Sequence, residues 1–116
     1  MSVEVISISG DYSSTPAGRT MADGPFNGQR FRDDFLIPAI RSAIGQHTKV
    51  IVNFDGADSY SSSFLEEAFG GLVRSQVFPY EILRASLELQ ASDPIYAPFV
   101  ADARQYMDDE FRRARH

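Results

Sequence analysis

A chain of 116 residues with 43% apolar residues, nine Phe and five Tyr has the size and core material of one ordinary domain, and 23% charged residues is unlike a disordered chain. Sixteen acidic against eleven basic residues leave a formal charge of -5, which argues against a general nucleic-acid binder, and the absence of Cys excludes disulfides, thiolate chemistry and cysteine metal sites. No targeting or membrane-spanning run occurs, so the expectation is a single cytoplasmic domain over residues 1–116, with no nucleic-acid or membrane partner.

Val3, Val5, Ile6 and Ile8 predict a first strand that stops at Ser9–Gly10. From residue 10 to residue 28 the composition turns to Ser, Thr, Gly, Pro and Asp, a long polar loop that need not pack and is a candidate for function. Phe31, Phe35, Ala39, Ile40, Ala43 and Ile44 recur at helical spacing, with Pro38 as a kink or junction and Gly45 as the stop. Val50, Ile51, Val52 and Phe54 make a nearly continuous apolar run, the pattern of a central strand covered on both faces, ending at Asp55–Gly56. A helix beginning near Ser63 carries Phe64, Leu65, Ala68, Phe69, Leu72 and Val73. Its Gly70 and Gly71 suggest close approach to the sheet or a break in the last turn. Phe78 to Arg84 is ambiguous, but Leu83, Ala85, Leu87 and Leu89 alternate and predict a third strand. Asp93–Pro94 opens a final helix with Ile95, Phe99, Ala103, Tyr106 or Met107, and Phe111 inward, and Arg112, Arg113 and Arg115 give it a cationic end. This order defines an α/β domain, with residues 19–27 and 76–80 as candidate places for a further strand.

The most informative segment joins the second strand to its helix, Asp58 through Glu67. Ser63 and Glu66 have capping-box spacing, and Ser62 is the neighbouring register. The end of a central strand followed by a helix start is where α/β folds place ligands. Free amides there suit a phosphate, although Glu66 and Glu67 oppose added negative charge. A serine nucleophile lacks a partner: His47 and the sole lysine, Lys49, stand at the far end of that strand, and His116 ends the chain. Two histidines make a histidine metal site improbable. Asp33–Asp34, Glu66–Glu67 and Asp108–Asp109–Glu110 read as solvated helix faces, and Arg30 and Asp34 as a surface pair. Gly18–Arg19–Thr20 does not complete a phosphate-binding loop, which needs Gly where Ser13 stands and Lys where Arg19 stands. If the first two strands are parallel neighbours, Asp11, Ser13, Ser14, Thr15, Gly18 and Arg19 lie beside the serine turn.

Gly24-Pro25-Phe26-Asn27-Gly28-Gln29-Arg30-Phe31-Arg32, Leu36 with Pro38, and Ser62-Ser63-Phe64-Leu65-Glu66-Glu67-Ala68-Phe69-Gly70-Gly71-Leu72 resemble the bacterial STAS-like family of small uncharacterised proteins, over residues 22 to 75. That family is related to the STAS domains of anti-sigma factor antagonists. The resemblance implies a small mixed sheet packed against helices, and a partner that is a histidine-kinase-like ATPase or serine kinase. It also implies a switch by phosphorylation of a serine at a helix start. Aligned through Gly56, the antagonist pattern Asp-Ser-Ser-Gly-Leu falls on Ser61, Ser62, Ser63, Phe64 and Leu65, which makes Ser63 the implied phosphoacceptor and Ser62 the next. Ser61 replaces the acidic residue and Phe64 the glycine; the bulky ring either fills space that a kinase would use or covers the core.

The leading expectation is therefore a non-enzymatic regulatory or protein-interaction module without cofactor or metal. Its docking surface would comprise Asp11, Arg19, Asp55, Asp58, Tyr60, Ser61 and Glu66. A small-ligand or nucleotide-binding module using the residue 10–28 loop and the serine turn is the alternative, and homodimer formation stays open.

Overall fold

The computed structural model describes residues 3–114. Arg115 and His116, named above in the basic end and the histidine inventory, lie outside the described residues. Three apolar runs become strands β1 (Glu4–Ser7), β2 (Val50–Asn53) and β3 (Leu87–Gln90). β2 lies between the other two and is parallel to both, in the register Ile6, Val52, Leu89. Parallel neighbours need crossover connections, and helices supply each of them. The expected class, a small α/β sheet packed against helices, is the one observed. Both strand pairs are parallel, so the antiparallel member of a mixed sheet is not among the described residues.

Strand periodicity sends Ile6, Val50, Val52 and Leu89 into the core, with Val50 and Val52 fully buried. The opposite face carries Val5, which is 55% exposed, and the half-buried Ile51. β2 was expected to be covered on both faces. Its burial alternates instead, so the helices cover one face and the second stays partly open.

The first helical stretch has three parts, α1 (Gly28–Phe31), a widened π-helical turn (Arg32–Leu36) and α2 (Ile37–Gly45). The wide turn answers the question of Pro38: a proline supplies no amide, and the register slip just before it leaves Pro38 in the first turn of α2. The helix does end at Gly45, but the left-handed conformation falls two residues later, on His47 at φ 55°. The stretch after β2 is built the same way, from α3 (Ser62–Leu65), a π-helical turn (Glu66–Gly70) and α4 (Gly71–Arg74). α1 crosses it closely: a Cβ on Gly28 would meet the Phe64 carbonyl at 2.6 Å and the Ala68 amide nitrogen at 2.9 Å.

The third strand is shorter than its alternation promised. Leu83 and Ala85 belong to α5 (Tyr80–Ser86), and only Leu87 and Leu89 are in β3. Leu83, Leu87 and the residues between them satisfy a period of two and a spacing of four equally well, and the chain uses each in turn. The final helix also begins later than expected. Asp93 caps a 3-10 turn (Pro94–Tyr96), and α6 (Ala97–Ala114) follows. Ile95, placed inward by the pattern, falls on that turn and is 67% exposed. Residues 19–27 and 76–80 form no strand.

The loop between β1 and α1 packs, against expectation. It opens with a π-helical turn (Ile8–Tyr12) that buries Ile8, and it also buries Ser13, Pro16 and Asn27. Tyr12 enters a chain of rings through Phe31, Phe64, Tyr60 and Phe99, with centroids 5.0 to 6.3 Å apart. Its hydroxyl donates to the Asn27 carbonyl at 2.7 Å, and burial pushes its pKa up to about 12. Asn27 in turn caps α1 by accepting from the Arg30 amide at 2.8 Å.

Candidate functional site at the serine turn

After β2 the backbone turns at Gly56, whose φ of 98° favours glycine and where a Cβ would meet Ser9 Oγ at 2.6 Å. Just before it, the Asp55 carboxylate accepts the Ser92 and Asp93 amides at 3.0–3.1 Å. Those bonds hold Asp55 below the usual carboxylate range. Asp55, expected on a docking surface, thus clamps the end of β2 to the segment after β3. Tyr60, expected on the same surface, is a core residue. Its hydroxyl donates to the Phe54 carbonyl at 2.7 Å, and burial pushes its pKa far up.

Three consecutive serines offer three registers for the helix start, and the fold selects Ser61. Its extended backbone precedes α3, and its Oγ accepts from the Phe64 amide at 3.1 Å and from the Gly18 amide at 3.2 Å. Ser63 Oγ lies 3.2 Å from Ser61 Oγ. With both Ser61 lone pairs taken by amides, the Ser61 hydrogen points to Ser63 Oγ. The capping box read from Ser63 and Glu66 is therefore corrected, and so is Ser62 as cap. The helix starts earlier, Ser62 and Ser63 stand inside its first turn, and Glu66 does not reach back to any serine amide. Ser62 is exposed and Ser63 half-buried, while Phe64 is fully buried. Phe64 covers the core, which resolves the two readings of the ring that replaces glycine.

The loop after β1 does lie beside this turn, as parallel pairing of β1 and β2 requires. Besides the Gly18–Ser61 bond, the Ser14 carbonyl accepts from the Asp58 amide at 2.8 Å. The carbonyls of Gly18 and Arg19 accept from Gly28 and Gln29 at 2.9 and 3.0 Å, so the loop bridges the start of α1 and the start of α3. The Asp58 side chain is exposed. Asp11 is not gathered here. Its carboxylate accepts from the Ser7 amide at 2.8 Å on the outer edge of β1, and it lines a cleft with Glu4, Asp34 and Pro38.

Behind the serines lies an arginine–glutamate network. Arg19 reaches from the loop to Glu66, and Arg74 joins Glu66 at 3.0 Å to Glu110 of α6 at 3.1 Å. Arg32 binds the Glu67 carboxylate and, at 3.2 Å, its carbonyl. Burial alone pushes the Glu66 pKa up, but the bonds from Arg74 and Arg19 outweigh it and hold it below the ordinary range. Glu66, Glu67 and the buried Glu110 are thus not the solvated faces that adjacency suggested, whereas Arg30 and Asp34 do pair at the surface, 3.8 Å apart. Gly70 and Gly71 have a different reason from close approach to the sheet. A Cβ on Gly70 would meet Glu66 Oε2 at 2.6 Å, and one on Gly71 would meet the Arg32 guanidinium at 2.5 Å. The glycine pair clears room for the network. Small residues four positions after two glutamates were the available signal; the arginines, 35 and 36 residues from Glu67 and Glu110, left none.

Chemically the turn offers hydroxyls at a helix start, with carboxylates behind them that arginines already neutralise. Of the loop's polar groups, the Gly18 amide and the Ser14 carbonyl are bonded to the turn segment itself. His47 and Lys49 line a cleft with Val3 and Ile51 at the opposite end of β2, away from the serines. Among the described residues no group of three or more His, Asp or Glu is placed to hold a metal ion, and no helix is long and apolar enough to cross a membrane.

In comparison with known families, the pattern described as "STAS-like domain of unknown function (DUF4325)" matches residues 27–96, which include the α1–α4 helices and the serine turn. Neither the curated proteins nor the solved structures gave a match.

Proposed function

Because the chain belongs to the family of STAS-like domains of unknown function (DUF4325), we propose that it is a regulatory protein-interaction module. The serine turn and the loop bonded to it form the docking surface, with Ser63, then Ser62, as phosphoacceptor. One observation carries this reading. A single helix start presents two further hydroxyls directly beside the cap, Ser62 exposed and Ser63 within 3.2 Å of Ser61 Oγ.

A phosphate on Ser63 brings about two negative charges beside the oxygen that holds the Gly18 and Phe64 amides. Glu66, one helical turn on, is the natural opponent of that charge, but Arg19 and Arg74 already bind it. Phosphate and Glu66 then compete for Arg19, and the loop carrying Gly18 and Arg19 moves with the outcome. The partner is a histidine-kinase-like ATPase or serine kinase, which reads the loop in its two positions.

The test is to incubate the protein with ATP and a histidine-kinase-like ATPase from the same cell, map phosphate by mass spectrometry and measure complex formation by gel filtration. Phosphate on Ser63, lost in Ser63→Ala, and a complex that forms only with the unmodified protein are expected. No phosphate on either serine together with no complex rejects the reading.

A further inference from the structure

A second site lies at the corner formed by α5, β3 and α6, and shares no lining residue with the serine turn. α5, β3 and α6 enclose a half-open cleft of about 180 Å³. Its floor is apolar, made by Leu83, Leu87, Leu89 and Met107, of which Leu83 is fully buried. Its rim carries Arg84 from the last turn of α5 and Arg104 from α6.

The two arginines are distinguished by what they lack. Arg19, Arg30, Arg32, Arg74, Arg112 and Arg113 each pair with a carboxylate, and Arg41 stacks over Phe78. Among the described residues, Arg84 and Arg104 have no carboxylate within ion-pair distance. Arg104 gives one terminal nitrogen to the Leu89 carbonyl at 2.6 Å, which leaves most of its five donors unused. The nearest acid on the rim, Asp108, is occupied by the Tyr80 hydroxyl. Burial, followed by the bond to Asp108, pushes the Tyr80 pKa up to about 12, so the phenol keeps its proton and its hold on that carboxylate. In a chain of net charge -5, two guanidinium groups free of ion pairs among the described residues thus open on one small cleft with an apolar floor.

We propose that this cleft binds a small amphipathic carboxylate, its head between Arg84 and Arg104 and its apolar body on Leu83, Leu87, Leu89 and Met107. Guanidinium forks match a carboxylate bidentately, and the apolar floor favours a hydrocarbon body over water. Since a cavity of about 150 Å³ takes benzene, the cleft of about 180 Å³ takes a ligand of roughly six to eight non-hydrogen atoms.

Titrating ¹⁵N-labelled protein with sodium hexanoate, 1-hexanol, hexylammonium chloride and inorganic phosphate tests each part of the proposal. Hexanoate should give saturable amide shifts confined to residues 83–89 and 103–108. Hexanol and phosphate should each bind at least about tenfold more weakly, the loss of one charge-assisted contact or of the apolar body. Hexylammonium should not bind. Arg84→Ala and the neutral but still polar Arg84→Gln should weaken hexanoate about tenfold with unchanged melting temperature. Arg84 is the residue to vary, because Arg104→Ala would also release the Leu89 carbonyl. Shifts centred elsewhere, no saturation, hexanol equal to hexanoate, or full affinity in both Arg84 variants overturns the proposal.

Discussion

The serine-turn end of the sheet and the α5–β3–α6 corner employ the same side chain in opposite ways. Around the serines, Arg19, Arg32 and Arg74 each close on a glutamate, and Gly70 and Gly71 leave room for them to do so. At the corner, Arg84 and Arg104 face a cleft and have no ion-pair partner among the described residues. A guanidinium that bridges elements holds a loop in place, whereas one left over a cavity is available to something else. The difference separates arginines whose loss should disturb the protein itself from arginines whose loss should disturb only what it binds.

The comparison rests on a common core, and the largest effect comes from breaking that core. Phe64→Ala, which removes the ring behind the serine turn, should cost about 3–5 kcal/mol in urea unfolding; a cost below about 1 kcal/mol would mean the ring is not packed as described. Gly28→Ala comes next, because its new Cβ meets backbone rather than a mobile side-chain end. A loss of about 1–3 kcal/mol is expected, read as a fall in melting temperature.

Ser61→Ala removes the cap and the Gly18 bond together and should cost about 1 kcal/mol. Ser62→Ala and Ser63→Ala, lacking the cap bond, should cost less. Equal losses at all three would contradict the assignment of the cap.

The arginine–glutamate network gives a smaller and pH-dependent effect. Glu66 has its pKa lowered in the folded protein, so its contribution is complete above the ordinary glutamate pKa of about 4.3 and is lost as pH falls through the lower folded value. Wild-type melting temperature should therefore drop more steeply below about pH 4.5 than that of Glu66→Gln. Parallel curves would show that the Arg19 and Arg74 contacts do not favour the ionised form. Arg19→Ala should cost about 0.2–1 kcal/mol near neutral pH, the range of partly exposed ion pairs. Arg84→Ala, at the other end of the comparison, should change stability by no more than about 0.5 kcal/mol. If Arg84→Ala is the more damaging of the two, the division between bridging and available arginines fails.

Much of this was legible in advance, and each error has a physical cause. β1, β2, the helix expected near Ser63 and the final helix were all visible as periodic apolar runs, because burying one face imposes that spacing. The span of β3 was misread since Leu83 to Leu89 fits two periods. The loop before α1 was misread because Tyr12, Pro16 and Asn27 are sparse packing residues in polar company. At the site, the place of the serine turn was readable, and its neighbour, the Gly18–Arg19 loop, followed from parallel pairing. The identity of the cap was not.

By itself the sequence determined the α/β class, the order of the main elements, the likeness to STAS-like domains and the helix start at the serines. Each of these is written in local spacing or in contiguous motifs. Only the tertiary structure decided which serine caps, why Gly70 and Gly71 are glycines, that Asp55 and Tyr60 serve the framework, and which arginines remain available. Those outcomes depend on partners far along the chain, as with the Gly18 amide that bonds Ser61 across 43 residues. No local pattern records a bond between residues so far apart until the fold brings its two halves together.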